Sequence, residues 1–154
     1  MTDKADQKIQ VRVQLSPNDP LWERLSALGI EADDDSDYIL SRRRNASGYL
    51  SCKKDDRIFY LPISQIIYID SLGHDVRIHT RDGVYMTKER LKQLEFSLDP
   101  DLFLRVSNSA IVAVKKIQKI EASLLQKFIL HMTNGDKVDV TRSYYYIFKE
   151  RFQI

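Results

Sequence analysis

Apolar residues recur at two different periods along this chain, and the change of period outlines its organisation. Ile9, Val11, Val13 and Leu15 alternate with Gln10, Arg12 and Gln14, which predicts a half-buried strand over 8–15. Asp19 and Pro20 then read as N-cap and first helical residue. Leu21, Leu25 and Leu28 share one face and Gly29 supplies the stop, so a short helix is expected over 20–28. Beyond the acidic run Asp33-Asp34-Asp35, Tyr38-Ile39-Leu40 predicts another strand and completes a strand-helix-strand unit. Arg42-Arg43-Arg44-Asn45-Ala46-Ser47-Gly48 reads as a junction, with the arginines available to an anionic partner or to solvent.

From Tyr49 onward the strand period dominates. Tyr49 to Lys53 and Arg57 to Leu61 flank Lys54-Asp55-Asp56 as a hairpin, and Ile66-Ile67-Tyr68-Ile69 is a short buried run. Val76, Ile78 and Thr80 alternate with Arg77 and His79, and Asp82-Gly83 predicts a type I′ turn into Val84-Tyr85-Met86. Thr87 is placed to cap a helix with Leu91, Leu94 and Leu98 on one face, ended by Asp99-Pro100. Strands are expected near 110–114, 117–121, 127–132 and 136–140, the last two joined by Asn134-Gly135. A closing helix from Ser143 would align Tyr144, Phe148 and Phe152. The fold expected is mainly β with short helices: a β domain over 49–154, preceded by a small α+β extension over 1–48.

Composition narrows the class. A chain of 154 residues suits one core domain with an extension, and 43% hydrophobic with 30% charged residues is a globular balance. No apolar run approaches the roughly 20 residues of a membrane span, and Asp3, Lys4 and Asp6 interrupt any secretory signal, so a soluble, cytoplasmic protein is expected. The single cysteine, Cys52, fits a reducing compartment. Net charge divides unevenly: residues 1–47 carry 7 Lys/Arg against 9 Asp/Glu, whereas residues 48–154 carry 17 against 13. The positive excess lies in the β region, a mild bias compatible with an anionic polymer as partner.

Catalytic and metal chemistry finds little support. Asp33, Asp35 and Asp37 imitate the start of a calcium loop, but Tyr38 stands where glycine is required and Arg44 where the closing glutamate belongs. His74, His79 and His131 lack metal-ligand spacing with Cys52, and His79 and His131 fall on expected strands, facing solvent or making a local bond. There is no His/Asp constellation around Cys52 and no glycine-rich phosphate loop. No enzyme, cofactor, metal or small-molecule substrate is expected.

Phe103-Leu104-Arg105-Val106-Ser107-Asn108-Ser109-Ala110-Ile111-Val112, the Asn134-Gly135 turn and Val140-Thr141-Arg142-Ser143 together resemble the LytTR family of DNA-binding domains. Ile63-Ser64-Gln65-Ile66-Ile67-Tyr68-Ile69-Asp70 is similar to the family's short apolar strand followed by an acidic residue, and the helix from Lys88 to Glu95 falls in register. The resemblance implies an antiparallel β domain whose loops enter two successive major grooves and touch the minor groove between them. Under it, His74 and Arg142 take the two major-groove positions, Asn108 takes the minor-groove position, and Arg105 aligns with the arginine that opens the same segment. Ala113 stands where the family often has Asn, so a contact from that position does not carry over. The side chains suit these roles: Arg forks onto guanine O6 and N7, His donates or accepts at a base edge, and Lys115, Lys116 and Lys119 are available to phosphates.

The function expected is therefore sequence-specific binding of double-stranded DNA in transcription regulation, with two copies on repeated sites. About 48 residues before the resemblance leave no room for a phosphoaccepting receiver domain, so the extension is expected to serve dimerisation or partner binding. The resemblance also implies a membrane-protein antagonist as partner. The rival expectation is a protein-interaction module that has lost DNA binding, with Ala113 as its support.

Overall fold

The computed structural model describes residues 8–15, 18–41 and 48–154; Arg42, Arg43 and Arg44 lie outside the described residues. The chain divides into two compact units between residues 44 and 45. In the first, β1 (Ile9–Gln14) leads to α1 (Leu21–Ala27), β2 (Ile30–Ala32) and β3 (Ile39–Ser41). β1 is central and runs parallel to both neighbours, with Ile9 opposite Ile30 and Arg12 opposite Ile39. Asp19 Oδ1 accepts the Leu21 N–H at 3.0 Å, while Pro20 occupies the N-cap and the helix proper begins at Leu21. The expected strand-helix-strand is thus one strand short: β2 holds only three residues between Gly29 and the acidic run, too few for alternation to register.

The second unit is built from β4 (Tyr49–Lys54), β5 (Arg57–Pro62), β6 (Ile66–Leu72), β7 (Asp75–Thr80), β8 (Gly83–Thr87), α2 (Leu91–Ser97), β9 (Phe103–Ser107), β10 (Ala110–Ala113), β11 (Ile117–Ser123), β12 (Lys127–Met132), β13 (Lys137–Val140) and α3 (Tyr145–Phe152). Seven strands form one antiparallel sheet in the order β5-β4-β8-β7-β6-β10-β9, and β11-β12-β13 form a second.

All four residues of β10 are buried because both faces of the strand are covered. Ile111 and Ala113 join Leu50, Leu91, Leu94 and Leu98 in a cluster under α2, whereas Ala110 and Val112 join Phe128, Leu130, Met132 and Val140 of the second sheet and Phe148 of α3. β6 makes the same division through a bulge. Its register against β7 shifts between Ile66 and Tyr68, so Ile66 and Ile69 face α2 while the adjacent Ile67 and Tyr68 face the second sheet. The continuous apolar runs in the sequence record this two-sided burial, and the cleaner alternation of β4 records a more exposed strand.

Two turn assignments move. Thr80 pairs with Gly83, so Arg81-Asp82 form the β7–β8 loop, and neither takes positive φ; the expected type I′ turn at Asp82-Gly83 is not formed. The positive φ that type I′ demands at both central positions occurs instead at Asp55 (50°) and Asp56 (59°), between β4 and β5. Thr80 side-chain bonds to Asp82 N–H and Gly83 carbonyl hold the β7–β8 loop without it. Thr87 likewise does not cap α2: its Oγ1 accepts the Glu89 N–H at 3.2 Å in a local turn, and Gln93 Oε1 accepts the Arg90 N–H at 2.8 Å where the helix begins. The expected leucine face is present, since Leu91, Leu94 and Leu98 are all buried. The C-terminal segment starts as a 3-10 turn over Arg142–Tyr144 before α3.

Leu94 is fully buried beneath the sheet. Leu94→Ala is expected to destabilise the second unit by about 2–5 kcal/mol, read as a lower urea midpoint with an unchanged slope.

Candidate nucleic-acid interface

Strand register brings three loops to one end of the seven-stranded sheet. Leu72 and Asp75 close the β6–β7 ladder, leaving Gly73-His74 as a two-residue turn. Gly73 adopts φ 63°, which a side chain would disfavour, and this lifts His74 to the exposed tip. β6 lies antiparallel to β10 with Asp70 opposite Ala110, and the Ser71 N–H donates to the Ser109 carbonyl at 2.9 Å. The β9–β10 turn, with Asn108 exposed on it, therefore stands beside the strand end that carries His74. At the end of β13 the Thr141 N–H donates to the Val106 carbonyl at 3.0 Å, and the Tyr144 hydroxyl donates to Asn108 Oδ1 at 3.3 Å. Arg142, exposed between these two anchors, joins the group.

Arg105 is engaged by bonds within the domain. Its Nε donates to the Ser107 carbonyl at 2.6 Å, one Nη to Glu95 Oε2 at 2.9 Å and the other to the Asn108 carbonyl at 2.7 Å. The side chain is only 14% exposed. It bridges α2 to the β9–β10 turn and sets the backbone of Asn108, whose amide nitrogen none of these bonds uses.

Beneath the loops lies a polar network on the face towards the second sheet. Asp70 receives two bonds from Arg77, at 2.9 and 2.6 Å, and lies 2.9 Å from His79 Nε2. The His79 ring stacks on Tyr68 with centroids 4.0 Å apart, and the Tyr68 hydroxyl donates to Asp136 at 2.9 Å. Burial pushes the Asp70 carboxyl up, but the bonds from His79 and Arg77 outweigh it and hold the group below its ordinary value. Burial and the Asp136 bond raise the Tyr68 hydroxyl well above the usual phenol range. His79 is thus buried and locally bonded, one of the two environments its strand position allows, and the acidic residue after the β6 apolar run locks β6 to β7.

The lysines lie elsewhere. The Val114 N–H bonds the Leu102 carbonyl and the Thr133 N–H bonds the Lys116 carbonyl, which puts Lys115 and Lys116 at the far end of β10, roughly 15 Å from the Asn108 turn at about 3.3 Å per residue. Lys119, exposed on β11, has its Nζ 3.9 Å from Glu121. His131 holds Glu121 at 2.8 Å, and that bond, ahead of the Lys119 charge, keeps the carboxyl below its ordinary value. Ala113 is buried under α2, so the departure at that position alters the core and presents nothing to a ligand. Tyr144, expected on a helix face, and Thr141, beyond the expected 136–140 strand, enter the site as anchors through the β13–β9 approach, which local spacing does not disclose.

The unit is thus an antiparallel β domain that carries His74, Asn108 and Arg142 on loops gathered at one end. The chain belongs to the LytTr DNA-binding domain family, whose model matches residues 56–153. A solved LytTr DNA-binding domain of a putative methyl-accepting/DNA response regulator from Bacillus cereus superposes with a TM-score of 0.68 at 26% identity, covering 71% of this chain and 100% of that one. The transcriptional regulatory protein LytR of Staphylococcus aureus is 34% identical over 95 residues, which are 62% of this chain and 39% of that protein. The CO-responsive transcriptional regulator RcoM of Rhodospirillum rubrum is 36% identical over 87 residues, 54% of this chain and 36% of that protein. The match therefore spans well under half of these regulators' lengths. No helix among the described residues is long and apolar enough to cross a membrane.

Two outcomes test this architecture. Arg105→Ala is expected to speed amide hydrogen exchange at Asn108 and Ser109 while the sheet stays protected, because the clamp holds the turn and not the core. Asp70→Asn is expected to cost about 1–3 kcal/mol at neutral pH. Since the folded carboxyl titrates below its unfolded value of about 3.9, its stabilisation is complete above that pH and is lost as pH falls through the folded value. Denaturation curves of variant and wild type should accordingly converge below pH ~4.

Proposed function

We propose that this protein is a transcription regulator that reads duplex DNA through the three gathered loops. The observation that carries this reading is the joining of the His74, Asn108 and Arg142 loops at one sheet end through the Ser71–Ser109, Thr141–Val106 and Tyr144–Asn108 bonds. His74 and Arg142 address base edges in two successive major grooves, where donor and acceptor patterns distinguish all base pairs. Asn108 addresses the minor groove between them, and Arg105 serves by holding the Asn108 backbone. Lys115, Lys116 and Lys119 meet phosphates on a stretch of backbone away from the loops, positioning the domain without selecting sequence.

Two copies acting on repeated sites in the cytoplasm, with the 1–48 extension as a dimerisation or partner-binding element, complete the proposal. A membrane-protein antagonist rests on the family likeness. The support for a module without DNA binding is weakened by the place of Ala113, since a buried core position says nothing about the exposed loops.

Selection of bound sequences from a random duplex library tests the reading. The expected result is an enriched motif in two parts about one helical turn apart, lost in the His74→Ala/Arg142→Ala double variant. Absence of any enrichment at low salt would overturn it. Within such a motif, Arg142→Ala should remove about 1–3 kcal/mol of specific binding and relax base preference, whereas Lys116→Ala should weaken all duplexes alike and reduce the salt slope by about one.

A further inference from the structure

Leu124 and Leu125 occupy the turn between β11 and β12 with 103% and 74% of their surface exposed. Gln126 beside them takes φ 52°, and the β11–β12 ladder closes at Ser123 opposite Lys127, so the tight turn itself presents the pair to solvent. A single exposed leucine is ordinary, but two adjacent ones at a tip forgo the Asn, Gly or Ser that turns favour.

The register locates this tip. Ala122 pairs with Phe128 and Phe128 pairs with Val140, so the β11–β12 tip and the C-terminal end of β13 leave the second sheet at the same end. Arg142 follows two residues after Val140. With β11 two strands from β13, the tip stands roughly 10–15 Å from the Arg142 turn at a strand spacing of about 4.8 Å, comparable with the ~12 Å width of a major groove. The surroundings are basic: Lys127 is exposed at the tip, and Lys149 lies with its Nζ 5.7 Å from the Tyr145 ring that stacks on Phe128. Glu121, the acidic residue of this hairpin, is tied to His131.

We infer that the β11–β12 tip is a further DNA contact, seating Leu124 and Leu125 against deoxyribose and thymine-methyl surface at the outer edge of the major groove that Arg142 enters, with Lys127 on the adjoining phosphates. The inference rests on the DNA-reading role proposed above. Apolar contact with the thymine methyl, which lies in the major groove, is an established means of base discrimination. The tip therefore extends the recognised site beyond the three loops and favours thymine in the flank.

The test uses the full chain and the selected duplex in two lengths: one trimmed to the enriched motif, one extended by about ten base pairs, or one turn, on the Arg142 side. Leu124→Ala/Leu125→Ala should bind the extended duplex roughly tenfold more weakly than wild type does, as burial of two leucines in part would give, and should match wild type on the trimmed duplex. Replacing flank thymines by uracil should weaken wild type and leave the double variant unchanged. Arg142→Ala should lose affinity on both lengths. Equal binding of wild type and the double variant to the extended duplex, with Arg142→Ala still defective, would overturn the inference and leave the DNA-reading role standing; failure of wild type to bind any duplex would remove both. Loss of self-association by the double variant in sedimentation without DNA would assign the tip to a protein interface and also overturn the inference. Both leucines are exposed, so an unchanged melting temperature is expected for the variant.

Discussion

Two-sided burial of the strands β6, β9 and β10 is the constraint on which the rest of this domain depends. A sheet strand covered on both faces cannot expose polar side chains along its length, so polar groups are displaced to its ends. In β10 nothing but Ala and aliphatic residues remains, and the flanking turns carry Ser107, Asn108 and Ser109 at one end and Lys115 and Lys116 at the other. The polar turn residues proposed to meet DNA are thus placed by the core. Any residue pair that sets the register of β10 against β6 also sets where Asn108 stands relative to His74.

The polar groups that do enter the interior are fully engaged. Asp70 faces the second sheet beside Arg77 and His79, and His79 lies flat on Tyr68, whose hydroxyl reaches Asp136 in the β12–β13 turn. This chain of contacts ties the two sheets together along a line that hydrophobic packing alone would leave free to slide. Arg105 plays the matching part on the opposite face, where it connects α2 to the β9–β10 turn. One charged cluster on each face flanks the strands that carry the loops and braces the short turns proposed to meet base edges.

Much of this arrangement was legible in the sequence. Most of the strand periods, the leucine face of α2 and the aromatic face of α3 follow from local spacing, whereas β9 (Phe103–Ser107), interrupted by Arg105, is not among the expected strands. Less legible were features that depend on a partner strand. β2 is defined by the open edge of β1 and not by its own three residues. The type I′ turn falls on Asp55-Asp56 because the β4–β5 register leaves those two residues in the loop, while Gly83, the stronger local signal, is claimed by its pairing with Thr80. The same limit applies to the site. The family likeness picks out His74, Asn108 and Arg142 one by one, yet their convergence, and the bonds of Arg105 to Glu95 and the Asn108 carbonyl, depend on which strands lie side by side.

The hydroxyl of Tyr144 on Asn108 Oδ1 carries a consequence for how a target sequence would be scored. Tyr144 belongs to the turn that presents Arg142, so the loops carrying Arg142 and Asn108, proposed to address different grooves, are joined by this bond and by the Thr141 anchor on β9. Residues joined in one network do not contribute additively. If the proposed reading holds, base preferences in the central minor groove and in the major groove met by Arg142 are statistically dependent: a table of independent per-position weights would misrank sites, and a description in linked pairs of positions would be the smallest faithful code.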